Sequence, residues 1–172
     1  MCFWPEGLLV AEIVLRQLEK SNKNDDNSLF ANKVSNLSEI VKVLQPVGDL
    51  ELLFLYNSEK WYGLSGHIYL PKDREAAGKE ITEIARRVSE GYNITSYDIH
   101  FFVTEGGYYS KIIGRGFFLG CKHHKDFLDI FLNTLSTIPQ NTIDISVLLG
   151  FLEELRKVNP NLCNETLEKL HH

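Results

Sequence analysis

The chain is poor in the residues that build stapled or metal-held folds. Its three cysteines, Cys2, Cys121 and Cys163, are odd in number, far apart and never in a CxxC pair, so the sequence offers neither a disulfide framework nor the ligand spacing of a zinc site. No apolar run is long enough to cross a bilayer, and the start, Met1-Cys2-Phe3-Trp4-Pro5-Glu6, lacks the basic n-region of a secretory signal. The expected setting is a reducing cytoplasm, with no membrane partner. Positive charge is also scarce: the formal net charge is -5, whereas a surface that clamps phosphates concentrates Lys and Arg. Nucleic acid is therefore disfavoured as a partner.

Motifs that demand a chemistry are equally thin. Gly114-Arg115-Gly116 is the kind of step at which backbone amides cradle an anion and an arginine clamps it. A P-loop, however, needs Lys-Ser or Lys-Thr after its last glycine. Here Phe117-Phe118 follow, and Ala77-Gly78-Lys79-Glu80 also lacks the hydroxyl residue that holds magnesium. Close packing between helices accounts better for the glycines, and no cofactor is implied. His123 and His124 are adjacent, so on a helix they project about 100° apart and do not form the i, i+4 pair that grips zinc; they read as a solvated helix start. His67 and His100, in apolar and aromatic surroundings, read as hydrogen-bonded core or groove histidines. Cys121, His100 and Asp98 supply the residue types of a nucleophilic site without a family context such as GxSxG. Hydrolase or transferase chemistry is the weakest reading, and the chain is expected not to be an enzyme. Arg86-Arg87 and Glu153-Glu154 are most simply exposed helix faces.

What the chain does have is helical patterning. Apolar and charged positions alternate at helical spacing from Gly7 to Lys20, and a second stripe runs from Leu29 to Leu44, ending before Pro46 and Gly48. Between them Ser21–Ser28 is polar and turn-rich, the composition of a mobile loop. Leu50–Tyr56 is a short apolar run that leans towards helix, while the aromatic and glycine content of Trp61–Leu70 favours strand or irregular structure. Asp73 is a fitting N-cap for a helix carrying Ala77, Ile81, Ile84, Ala85 and Val88, with Gly91 at its end. Tyr97–Val103 reads as strand through Phe101-Phe102-Val103 or as a helix capped by Ser96 or Asp98. Tyr108–Cys121 suits closely packed helices or a bent strand. After the Gly-Arg-Gly step come two amphipathic patterns: Phe127, Leu128, Phe131, Leu132 and Leu135, then, beyond Pro139 and a cap at Thr142 or Asp144, Val147, Leu148, Phe151, Leu152, Leu155 and Val158. Asn159-Pro160 closes them, and Asn164–Leu170 begins a further helical turn.

Helices joined by short proline-marked turns are the units of helical arrays, which usually bind rather than transform. The succession Gly114-Arg115-Gly116-Phe117, Gly120, the helix Phe127–Leu135, Pro139, Val147-Leu148-Leu149-Gly150-Phe151-Leu152, Leu155, Asn159-Pro160, Leu162 and Asn164 resembles a segment of large bacterial STAND-class NTPases, many implicated in defence against phages. It is close over Gly114–Asn164 and loose from about Lys79 to Leu170. In that family the similar stretch lies in a helical-repeat sensor region beyond the nucleotide-binding domain. The resemblance thus implies a sensor piece that binds a foreign, phage-derived protein, with any ATP hydrolysis residing elsewhere in a longer protein.

The sequence therefore predicts a mainly α fold, helical hairpins in an α-solenoid-like array with a minor β element. It forms one domain over 1–172, less defined over 1–72 and helical-repeat over 73–172. The alternative is an α+β adaptor or inhibitor in which Leu50–Tyr56, His67–Leu70 and Ile99–Val103 form a sheet. Expected function is recognition or scaffolding with a protein partner, without a small-molecule substrate. The candidate contact residues are Trp61, Tyr62, Tyr108 and Tyr109, since Tyr and Trp dominate interface hot spots, together with Arg115.

Overall fold

The computed structural model describes residues 5–21, 28–57 and 73–170, and those residues form nine α-helices with no strand among them. They are α1 (Pro5–Ser21), α2 (Ser28–Leu44), α3 (Asp49–Asn57), α4 (Arg74–Gly91), α5 (Ser96–Thr104), α6 (Ser110–Gly120), α7 (His124–Leu135), α8 (Ser146–Val158) and α9 (Pro160–Leu170). A 3₁₀ turn, Gln140–Thr142, lies between α7 and α8. The mainly α reading of the sequence is met. The sheet alternative fails where it can be examined, because Leu50–Tyr56 and Ile99–Val103 both lie in helices. Trp61–Leu70, the proposed minor β element, and positions 22–27 of the polar loop fall outside the described residues.

From Asp73 onward the chain forms three hairpins, α4/α5, α6/α7 and α8/α9. Their first helices begin at Arg74, Ser110 and Ser146, steps of 36 residues each, and Gly78, Gly114 and Gly150 are the fifth residue of each. Helix α6 lies between α4 and α8, while α5 and α9 both pack against α7. The two layers meet in a core that includes Ile81, Ile99, Phe102, Ile113, Phe117, Phe131, Leu148 and Phe151, each fully buried. A file of rings threads it: Phe54 to Phe102 at 5.1 Å, Phe102 to Phe117 at 5.3 Å, Phe117 to Phe127 at 5.9 Å, and Phe127 stacked on Phe151 at 4.5 Å. Each fully buried ring contributes about 1.5–3 kcal/mol through removal from water, and ring pairs add directional preference.

The glycines explain how α6 fits between its neighbours. A Cβ at Gly114 would sit 2.8 Å from the carbonyl carbon of Val147 and 2.9 Å from the Phe151 nitrogen, and one at Gly150 would sit 2.8 Å from the Lys111 carbonyl carbon. Gly116 and Gly120 meet α4 in the same way, against Thr82, Ala85 and the Arg86 carbonyl. Glycine lets two helix backbones approach more closely than any side chain would permit. The Gly-Arg-Gly step therefore does not open a helix or cradle an anion. It lies inside α6, with glycines turned to both flanks and Arg115 to solvent.

Caps fix the turns. Asp73 accepts the Ala76 N–H at 3.0 Å and starts α4. For α5 the cap is Thr95, one residue before the expected Ser96, and Asp98 is the reciprocal partner of a capping box. Asp144 accepts the Ser146 N–H at 2.7 Å, and its own N–H donates to the Val103 carbonyl at 2.7 Å, tying α8 to the end of α5. Asn159-Pro160 closes α8, as the sequence predicts, with the Asn159 N–H donating to the Leu155 carbonyl at 2.7 Å, and also opens α9: Asn159 accepts the Leu162 N–H at 3.1 Å and Pro160 takes the first helical position, where its missing N–H costs nothing.

Ahead of the hairpins, α1 and α2 pair over a smaller cluster of Leu8, Ala11, Val41 and Leu55. Helix α3 joins the two cores, giving Leu55 to this cluster and Leu53, Phe54 and Tyr56 to the main one. Buried Asn57 ends it. Its amide donates to the carbonyls of Phe102 (3.2 Å) and Glu105 (3.1 Å), and its oxygen accepts from the Ser110 hydroxyl (2.8 Å). One side chain thereby brackets the α5–α6 turn.

Candidate functional site

A groove runs between the α4–α5 turn and one face of α7. Ile94 roots the turn in the core, and the Thr95 backbone N–H and hydroxyl both donate to Asp98 Oδ2, at 2.8 and 2.7 Å. Opposite, Asp126, Ile130, Asn133 and Thr137 line up at helical spacing, while Phe127 and Phe131 fill the core behind them. Two adjoining cavities of about 250 and 450 Å³ make up the groove and share Asn93, Ile94 and Ile130. The larger is lined by eight residues, none charged: Asn93, Ile94, Thr95, Ser96, Ile130, Asn133, Thr134 and Thr137. The smaller adds Tyr92, Cys121, Lys122, His123 and Asp126.

Electrostatics in the groove do not favour covalent chemistry. Burial pushes the Cys121 thiol up from its ordinary range, against a smaller lowering by a backbone hydrogen bond from His123, and the thiolate is the nucleophile. Asp98 is occupied by Thr95, and its charge is the main reason that the Tyr92 phenol is also pushed up. His100 is exposed on α5, contrary to the expectation of a core or groove histidine, because the buried side of that helix is taken by Ile99, Phe102 and Val103. The cavity beside Cys121 is lined by His123 and Asp126 instead of His100 and Asp98. His124 is half-buried, stacked on Phe118 at 4.4 Å, so only His123 of the pair is solvated. Among the described residues, no cluster of three or more His, Cys, Asp or Glu side chains is placed to hold a metal.

Of the residues singled out from sequence, Tyr108, Tyr109 and Arg115 lie elsewhere. Trp61 and Tyr62 fall outside the described residues. Tyr108 is exposed, beneath the Arg74 guanidinium at 5.7 Å, but Tyr109 is only 2% exposed and packs in the core. An exposed contact role does not fit Tyr109, which sits at the start of α6 where the α5–α6 turn folds inward. Arg115 is exposed and pairs with Glu153 at 2.8 Å and Glu154 at 3.8 Å, while Lys111 also pairs with Glu153. These two cations lower the Glu153 carboxyl, chiefly by hydrogen bonding. Arg115 also borders a shallow charged depression of about 410 Å³ between α4 and α6, together with Arg74 and Lys79. Of the groove residues, Ile130, Asn133 and Thr137 carried no motif, and Asn93 only the glycosylation sequon Asn93-Ile94-Thr95, a match expected by chance. Their one legible trace was a polar face opposite the Phe127/Phe131 stripe of α7.

Comparison with known proteins finds no family model, curated protein or solved structure that matches the chain.

Proposed function

We propose that this chain is a non-catalytic recognition domain whose α5/α7 layer captures a protein, and that it serves as a sensor segment of a STAND-class antiphage NTPase. The observation that carries the reading is the groove. It is open along its length, floored by Ile94, Phe127 and Ile130, and walled by amides and hydroxyls in the larger cavity, with Lys122, His123 and Asp126 at the smaller. Such a surface contacts a macromolecule over its length, whereas a small ligand is normally buried over most of its surface. Three hairpins locked through glycine contacts give that surface a stiff backing, as stacked repeats do for extended binding faces. The resemblance of Gly114–Asn164 to the helical-repeat region of defence NTPases supports a phage-derived partner.

Biolayer interferometry of the immobilised chain against a panel of purified phage structural and replication proteins tests this. At least one is expected to bind, and Ile130→Arg, which places a charge on the groove floor, is expected to abolish binding while the thermal melt is retained. A panel without a binder, or a binder indifferent to Ile130→Arg, would overturn the proposal.

A further inference from the structure

We infer that the groove takes an extended peptide segment of about five residues, uncharged where it crosses the larger cavity, held through its backbone by the side-chain amides of Asn93 and Asn133. This rests on the recognition reading above and specifies what the groove reads. The two asparagines stand on opposite sides of the larger cavity, one on the α4–α5 turn and one on α7. Both side chains are exposed, and neither side-chain amide bonds to another described residue, while the main-chain carbonyl of Asn133 accepts from the Ser136 hydroxyl at 2.8 Å. The hydroxyls of Thr134 and Thr137 instead donate to carbonyls of Ile130 and Thr134, at 2.8 and 2.7 Å. A carboxamide carries an acceptor and two donors on one rigid plane, the complement of a peptide group with its one N–H and one C=O.

Dimensions select the extended form. From Asp126 on α7 to Thr137 in the turn that continues it, this side of the groove rises about 16 Å at about 1.5 Å per residue. An extended chain advancing about 3.3 Å per residue covers that length with about five residues. Its alternate side chains recur about every 6.6 Å, close to the rise of about 6 Å between helix positions four apart. Every second peptide side chain therefore falls on the floor formed by Ile94, Phe127 and Ile130. A docked helix would satisfy its own backbone groups internally and leave both asparagines without a partner. The absence of charge from the larger cavity disfavours Asp, Glu, Lys and Arg in the part of the segment that lies over it, since an unpaired charge moved out of water is costly, whereas Lys122 and Asp126 border the smaller one.

The test is selection of a random twelve-residue peptide display library on the full chain. Enriched sequences should share about three contiguous uncharged positions, the number of extended residues that the larger cavity spans. A synthetic peptide of that consensus should bind about tenfold more weakly to Asn133→Ala and to Asn93→Ala, roughly the loss of one or two peptide hydrogen bonds, with both variants melting as the parent does. N-methylation of one central peptide amide should weaken binding similarly, a change that side-chain-only docking would not register. Failure to enrich, a charged consensus, or binding indifferent to both asparagines would overturn the inference. Capture of a folded phage protein that is lost in Ile130→Arg but kept in Asn133→Ala would overturn this inference alone and leave the recognition reading standing.

Discussion

Replacing Gly114 with alanine adds one methyl group, and the structure sets its cost. On an isolated helix the change would be favourable by about 1 kcal/mol. Here the new Cβ would meet main-chain atoms of α8 on two sides, the Val147 carbonyl carbon at 2.8 Å and the Phe151 nitrogen at 2.9 Å. A backbone cannot swing aside as a side chain can, so α6 and α8 must separate, opening the contact at which Gly150 faces Lys111. Overpacking costs about 1–3 kcal/mol where side chains can yield; backbone on both sides places this site at or above the top of that range, leaving a net loss of about 2–3 kcal/mol. Gly78, at the matching position of α4, meets only the tip of Ile112, at 3.4 Å. Gly78→Ala should therefore stabilise by about 0.5–1 kcal/mol. For a chain of this size 1 kcal/mol moves the melting temperature by about 2–4 °C, so the two variants should melt about 5–16 °C apart. Urea and thermal unfolding followed by far-UV circular dichroism measures both. If Gly114→Ala lies within about 0.5 kcal/mol of the parent, or if Gly78→Ala is the more damaging, the seam is not closed by backbone contact and the array argument loses its basis.

Asn57→Ala should cost about 2–4 kcal/mol in the same unfolding experiment, since it takes one partner from the buried Phe102 carbonyl, from the half-buried Glu105 carbonyl and from the Ser110 hydroxyl; a cost below about 0.5 kcal/mol would show that the bracket is not needed. Glu153 is held below its ordinary range by Lys111 and Arg115, so its contribution is present above the unfolded value of 4.5 and is lost as pH falls through the lower folded value. Glu153→Gln should flatten the acid limb of a melting-temperature profile between pH 3 and 6, and added salt should shrink the difference because the pair is exposed. At neutral pH, Cys121 should be alkylated by iodoacetamide more slowly in the folded chain than in urea, as peptide mass mapping would read; faster modification when folded would signal an activated thiol.

How much of this was legible depended on how many sides of each helix are buried. Helices α4, α7 and α8 bury one stripe and expose the other, so their periodicity could be read directly. Helix α3 buries Leu53 to Asn57 in an unbroken run because it joins two cores, and a helix apolar all round shows no helical period. Helix α5 escaped a clear assignment for a related reason: Phe101-Phe102-Val103 carries β propensity, and tertiary packing against Phe54 and Phe117 overrides it. The 36-residue recurrence lay in the sequence at Gly78, Gly114 and Gly150, but glycine spacing acquires meaning only once the helix starts are known. The groove was the least legible part, because Asn93 and Asn133 are forty residues apart and only the fold brings them to one cleft.

The distribution of charge distinguishes the two layers as binding surfaces. On the α4/α6/α8 layer, Arg86 pairs with Glu83 and Glu90, Arg87 with Asp49, Lys111 and Arg115 with Glu153, and Lys157 with Glu154. Exposed pairs of this kind are worth about 0–1 kcal/mol each, so the network does little to hold the fold. It does neutralise those cations, which leaves little net field to draw a charged partner to that side. The groove on the other layer holds amides whose hydrogen bonds go to solvent, and exchanging water for a peptide group there requires no existing contact to break. Among the described residues Lys122 and Lys125, at the start of α7, make no ion pair, and Lys122 borders the smaller cavity. A partner with an acidic residue just beyond its neutral segment would therefore be drawn to that end first, so the association rate, more than the dissociation rate, should fall with added salt. Lys122→Gln should remove that salt dependence while leaving the Asn93 and Asn133 contacts, and hence the dissociation rate, nearly unchanged.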